Sequence, residues 1–295
     1  MKLLLLGASG FIGKNLLEYF REKRSDIEIV HPSSKELNLL NENDVRDFLS
    51  NTWFDVVIDA AVCNPYRGNS VQKITELEQD LRMFFYLLNN KDRFGKLYYF
   101  GSGAEYDKDS PIALVTEEDI GITIPKTQYG FAKYIIGKTI DNCDNVFNLR
   151  VFGLFGKYEN WRKTFISGAC CKSIKGIPIT IRKNAFFDYL YIEDFCKIME
   201  WFVDNEPFYH TYNLVSGKKI DLISIAKYIN EISGKKVPIY VCNEGFSNEY
   251  TASNKRLLGQ IGEYEFQNIY NSIESLYKYY QSIENEIDLQ SLLYQ

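Results

Sequence analysis

The chain opens on a short apolar run that gives way at once to three glycines spaced three apart: residues 3–13 read LLLLGASGFIG. Four consecutive leucines are too few for a helix and suit a strand covered on both faces. The segment after Gly13, KNLLEYFREKR, carries Leu16, Leu17 and Phe20 at helical spacing, so the expected unit is strand, glycine turn, helix. In such a unit Gly7 permits a tight turn, Gly10 lets backbone approach a ligand closely, and Gly13 lets the helix pack tightly on the sheet. Free N–H groups at the start of the helix favour an anion such as a pyrophosphate. Residues 7–13, with Ser9, Phe11 and Ile12 among the glycines, therefore read as a dinucleotide-binding turn rather than a purely structural one.

The alternation continues along the chain. Residues 27–30 read as a second strand, 41–50 as a helix capped near Asn41, and 55–62 as a third strand. A long helix follows with Leu77, Leu81, Phe84 and Leu88 on one face, then a strand over 96–102, a helix over 129–140 and a strand over 145–152. Repeated strand and helix units with apolar strands imply an α/β fold with a doubly wound parallel sheet. From about Gly153 the pattern loosens to a helix over 160–175, short strands at 177–181 and 189–192, an amphipathic helix ending at Gly234, and a helical tail over 268–295. Tyr277 and Tyr280 in that tail read as packing residues. This half is expected to be a smaller mixed α/β region covering the carboxyl edge of the sheet, where ligands bind in open α/β folds.

Composition narrows the function classes. With 295 residues, 45% of them hydrophobic and 25% charged, the chain has the makeup of a globular protein of one large domain or two intimate ones. A formal net charge of −5 with mixed signs provides no basic footprint for nucleic acid. No apolar run approaches a membrane span, and the four opening leucines are too short for a signal peptide; a cytoplasmic protein is expected. Six cysteines (Cys63, Cys143, Cys170, Cys171, Cys196, Cys242) form no CxxC pair, and His31 and His210 are the only histidines. No metal site or disulfide framework is expected, and acid or base chemistry must mostly use other side chains.

The stretch TQYGFAKYIIG supplies a candidate, because it places Tyr129 and Lys133 four apart on one helix face. A phenol ordinarily holds its proton to about pH 10, and a neighbouring ammonium favours the phenolate, so such a pair suits proton transfer. Ser102 stands at the end of an earlier strand in YYFGSGAEY, and the glycine turn, Ser102 and the Tyr/Lys pair would all converge on the carboxyl edge.

With these residues in this order, the chain resembles the extended short-chain dehydrogenase/reductase family, the nucleotide-sugar epimerases, dehydratases and 4-keto reductases. The resemblance runs through GASGFIG, DVVIDAA, FGSGAEY, YGFAK, LRVFGLFG and FDYLYIEDF. It implies an NAD(P)-binding Rossmann domain over 1–153 and a mainly substrate-binding region over 154–295, with segments near 185–198 and 210–217 returning to the first domain. It makes Tyr129 the catalytic acid/base, Lys133 the residue that binds the nicotinamide ribose and favours the phenolate, and Ser102 a hydrogen-bond partner of the substrate oxygen. Ala60, Ala61 and Val62 match the small residues that let the cofactor lie over the third strand. A homodimer formed through the 77–88 helix and the Tyr129 helix is also implied.

Departures from the family pattern narrow the reaction. The dehydratases carry an Asp-Glu pair where this chain has Gly103 and Ala104, and Glu105 comes one residue late, which in an extended segment turns it to the other face. The fucose-synthase type resembles a pattern with Cys at the Ala104 place and a His that His210 does not match. Reduction of a 4-keto sugar or 4-epimerisation is left. At the end of the second strand, IVHPSSKELNLL presents Ser33, Ser34 and Lys35 with no carboxylate before Glu36, which suits a 2′-phosphate, and Asn38 and Leu39 match residues flanking the adenine. NADP(H) is therefore expected over NAD(H). Phe187 precedes Asp188 where the family commonly has an Arg for the nucleotide diphosphate, leaving Arg182 and Lys183 as nearby cations for the substrate. The expected function is NADP(H)-dependent reduction of a nucleotide-linked 4-keto sugar in carbohydrate biosynthesis, the alternative an NAD-dependent nucleotide-sugar 4-epimerase.

Overall fold

The opening apolar run is strand β1 (Lys2–Leu6), and successive leucines cover opposite sides of it. Leu3 and Leu5 pack with helices α1 (Phe11–Lys23) and α6 (Ile192–Asp204). Leu4 and Leu6 pack with α2 (Glu42–Ser50), α3 (Glu76–Leu88) and α4 (Gln128–Ile140). Helices on both faces are why four of the strand's five residues can be leucine. The sheet has six parallel strands in the order β10 (Thr211–Leu214), β6 (Val146–Val151), β4 (Phe94–Ser102), β3 (Phe54–Asp59), β1 and β2 (Glu28–Val30). The chain leaves β1 towards β2 on one side and returns to β3 on the other, so a crevice opens at the carboxyl ends of β1 and β3. This computed structural model describes residues 1–62 and 75–293; Cys63 lies outside them. Among the described residues no helix is long and apolar enough to cross a membrane.

A smaller sheet sits beside the first, with the order β11 (Lys219–Asp221), β9 (Phe186–Tyr191), β13 (Tyr250–Ala252) and β5 (Ile112–Val115), and with β7 (Gly153–Phe155) paired to β9. Strands β8 (Ile179–Asn184) and β12 (Ile239–Phe246) form a separate ribbon. Helices α5 (Phe165–Lys175), α7 (Leu222–Ser233) and α9 (Ile269–Ser282) pack on one another. Short α8 (Lys255–Ile261) contacts β10, and α10 (Leu289–Leu293) contacts α5. Strand β5 belongs to the segment between β4 and α4, so its pairing with β13 brings the carboxyl-terminal region against the end of β4.

Several boundaries differ from the sequence reading. The third strand stops at Asp59, leaving Ala60 to Val62 as loop. The helix expected over 160–175 starts only at Phe165, because Asn160 holds a turn by accepting from the Arg162 N–H and the Thr164 hydroxyl. The tail is interrupted after Ser282 rather than continuously helical, while Tyr277 and Tyr280 are buried packing residues as expected. In α3 the buried stripe is Asp80, Phe84 and Leu87, with Leu77, Leu81 and Leu88 only half-buried.

Candidate active site

The glycine turn is built by close approach. Gly7 adopts φ +73°, and a Cβ there would lie 2.5 Å from the Ala60 carbonyl, so the turn after β1 rests on the loop after β3. A Cβ on Gly13 would lie 2.2 Å from the Gly7 oxygen. Gly13 thus lets α1 sit on the turn itself, not on the sheet as expected from sequence. Gly10 is the N-cap of α1 and supplies no side-chain cap, and a Cβ on it would meet only the Gly7 oxygen at 3.3 Å. The first N–H groups of α1 are thereby left for an anion. A dinucleotide pyrophosphate fits this cradle. Ser9 is exposed, Phe11 and Ile12 pack on the core, and half-buried Ala60 and Ala61 keep the floor beside the turn small, with Val62 exposed beyond them.

At the end of β2 the hydroxyl and N–H of Ser33 both donate to the Glu36 carboxylate at 2.8 Å, which holds Glu36 below the usual carboxylate range. Ser34 and Lys35 are exposed. Arg21, in the last turn of α1, lies 2.7 Å from His31 Nε2 and adds a cation here that the sequence reading missed. The Asn38 side chain accepts from the Leu40 N–H, and Leu39 packs on the core.

Thr127 starts α4 by accepting the Gly130 N–H at 3.1 Å, which places half-buried Tyr129 in the first turn. Lys133, one turn on, is buried; its ammonium donates to the Phe100 carbonyl at 2.8 Å and lies 4.3 Å from the Tyr99 ring centroid and 5.7 Å from that of Tyr129. Asp59, at the end of β3, is buried and pushed up to about 6, with burial the largest cause and the Lys133 charge and Ala61 N–H opposing it. Ser102 ends β4 and accepts the Ala104 N–H at 3.1 Å, capping the turn Gly103–Tyr106. That use takes only an acceptor site, so its O–H remains able to donate. Helix α4 abuts this turn: a Cβ on Gly130 would lie 2.9 Å from the Ala104 oxygen.

A second phenol, missed in the sequence, completes the group. Tyr250 comes from β13, and its hydroxyl lies against Ser102; a Cβ on Gly103 would sit 2.4 Å from it. Burial raises its pKa far above the ordinary phenol value, with Ser102 opposing and the nearby Tyr129 adding to the rise. Nothing local in the sequence separates Tyr250 from the other tyrosines of a chain with 22 of them.

Glu105 is taken up by structural partners, and its backbone is not the extended one that its spacing suggested. It sits in a helical turn rather than an extended segment, fully buried, and accepts from Arg150 Nε at 2.6 Å, Asn148 Nδ2 at 3.1 Å and the Ser102 N–H at 3.0 Å. His210 lies where β10 and β6 begin, its Nδ1 3.1 Å from the Val146 carbonyl and its ring stacked on Phe147, at the sheet end opposite Ser102. Phe187 stacks on Tyr189 and tilts against Tyr250, while Asp188 accepts from Ser216 and Gly217. Arg182 and Lys183 stand on the β8 ribbon, where the Arg182 carbonyl accepts from the Asn243 side chain of β12 at 2.9 Å.

A parallel α/β sheet with a glycine cradle at its switch point defines a dinucleotide-using protein. Residues 3–214 match the model of the NAD dependent epimerase/dehydratase family, and the chain belongs to that family; it is an NAD(P)-dependent enzyme of the extended short-chain dehydrogenase/reductase type. GDP-L-colitose synthase of Yersinia pseudotuberculosis is 26% identical over 258 residues, spanning 80% of this chain and 83% of that protein. GDP-6-deoxy-D-talose 4-dehydrogenase of Aggregatibacter actinomycetemcomitans is 23% identical, spanning 94% of this chain and 97% of that one. The structure of GDP-mannoheptose C4 reductase from Campylobacter jejuni with NADP bound superimposes with a TM-score of 0.78 at 17% identity, covering 95% of this chain and 98% of the other.

Removing one partner of a buried ion pair leaves the other charge uncompensated, at a cost of about 3–5 kcal/mol. Glu105→Ala is therefore expected to lower the urea midpoint strongly, by roughly that amount of stability. Wild-type stability in this variant would show that the Arg150 pairing is not what Glu105 is for.

Proposed function

We propose that the protein reduces the 4-keto group of a GDP-linked sugar with NADP(H), Tyr129 supplying the proton. The observation that carries this reading is the placing of Tyr129, Lys133 and Ser102 around the end of β4, with Tyr250 neighbouring both hydroxyl residues. A nicotinamide dinucleotide held by the glycine cradle supplies hydride. Tyr129 gives its proton to the sugar oxygen as negative charge develops there. The Ser102 hydroxyl donates a hydrogen bond to the same oxygen, stabilising that charge. Lys133, stationed by the Phe100 carbonyl 5.7 Å from the Tyr129 ring centroid, places a positive charge beside the group that gives up the proton.

The GDP moiety is supported by the names of both sequence relatives, and position 4 by one of them. NADP(H) is favoured by Arg21, Ser34 and Lys35 at the end of β2. One observation speaks for the second reading, an NAD-dependent 4-epimerase: Ser33 is tied to the ionised Glu36, which would repel a 2′-phosphate brought close to it. The second copy in a homodimer would cover the outer face of α3, where Leu77, Leu81, Phe85 and Tyr86 line an apolar groove.

Incubation with a GDP-linked 4-keto sugar is expected to oxidise one NADPH per sugar reduced, and NADPH is expected to raise the melting temperature more than NAD. Protein that carries bound NAD and interconverts C4 epimers without net NADPH oxidation would overturn the reductase reading. Light scattering at micromolar concentration is expected to give twice the chain mass; a monomer there removes the dimer.

A further inference from the structure

The direction in which the Ser102 hydroxyl points its hydrogen is the one freedom that its surroundings leave it. Ser102 pairs with Val151 in the sheet, its N–H goes to Glu105 at 3.0 Å, and its side-chain oxygen accepts the Ala104 N–H at 3.1 Å. Backbone and oxygen are thereby fixed, while the O–H can still swing about the Cβ–Oγ bond. A serine hydroxyl offers one donor and two acceptor sites. The Ala104 N–H takes one acceptor site, so a donor at the second turns the hydrogen into the direction that remains.

The group beside that oxygen is the Tyr250 hydroxyl. It stands so close to the turn that a Cβ on Gly103, the next residue, would lie 2.4 Å from it. Tyr250 is held there from two sides. Its backbone pairs with Ile112 of β5 and Phe187 of β9, and its ring packs on Phe152 and Phe187, 5.0 Å and 5.8 Å away between centroids. A phenol is a far stronger acid than an aliphatic alcohol, so between the two hydroxyls the phenol donates and the serine accepts. Burial keeps that proton on Tyr250, because it penalises the phenolate. Resting on the reading of the protein as a reductase in which Ser102 donates to the sugar oxygen, we infer that Tyr250 is a positioning residue: it donates to the Ser102 oxygen and so directs the Ser102 O–H at the oxygen that Tyr129 protonates.

NADPH oxidation with the 4-keto-6-deoxyhexoses linked to GDP, dTDP, UDP and CDP tests this. Tyr250→Phe keeps the ring and its packing and removes only the hydroxyl. On the sugar that the wild-type protein reduces, this variant is expected to lower kcat about tenfold, the worth of one hydrogen bond, with KM and NADPH affinity unchanged. Ser102→Ala is expected to lower kcat about 10²-fold. Adding Tyr250→Phe to it is expected to change nothing further, because the oxygen through which Tyr250 acts is gone. Ser102→Thr keeps that oxygen, and in it Tyr250→Phe is expected to cost about tenfold again. Wild-type kcat in Tyr250→Phe overturns the inference and leaves the reductase reading standing. So does a loss that persists in the Ser102→Ala background, since Tyr250 would then act without Ser102. A wild-type protein that oxidises NADPH with none of the four sugars overturns the reductase reading and this inference with it.

Discussion

The hydrogen bond from the Lys133 ammonium to the Phe100 carbonyl, 2.8 Å long, is the constraint on which the catalytic arrangement depends. It joins the middle of α4 to the carboxyl end of the central strand β4 and so fixes the helix face that carries Tyr129 relative to Ser102. A bond from a charged donor contributes about 1.5–3 kcal/mol, more than a neutral one. The Tyr99 ring beneath the ammonium adds an attraction of the cation–π kind. Asp59 responds to the same charge from β3: burial raises its pKa to about 6, and Lys133 is the first of the effects that hold it down. The ammonium that faces the phenol is thus held at the carboxyl end of the central strand.

Around that anchor the site is assembled from both halves of the chain. Ser102 caps its own turn and Glu105 completes the same turn while neutralising Arg150, so the position of the hydroxyl is tied to a buried ion pair. Tyr250 comes to Ser102 from β13, and the pairing of β13 with β5 holds that strand against the end of β4.

Much of this was legible in the sequence because it is encoded locally. Leucine at four of the five positions of β1 announced a strand covered on both faces, and the glycines and the Tyr129/Lys133 spacing each act within a few residues of where they stand. The smaller region was expected, with a strand at 189–192 overlapping β9, but its pairing was not legible, since β11 and β13 are three residues long and Tyr250 pairs with both Ile112 and Phe187, distant in sequence. The place of Tyr250 beside Ser102 follows from those pairings. The surroundings of Glu105 and Ser33 were not legible for a different reason: helical turning after Ser102 and the folding back of Glu36 are set by side-chain hydrogen bonds, which periodicity does not report.

Tyr129→Phe removes one oxygen and leaves the aromatic ring, the Lys133 anchor and the glycine cradle in place. If the phenol is the proton donor, reduction of a GDP-linked 4-keto sugar falls by about 10²-fold or more while NADPH affinity is unchanged. Turnover close to wild type in this variant would contradict the account at its centre.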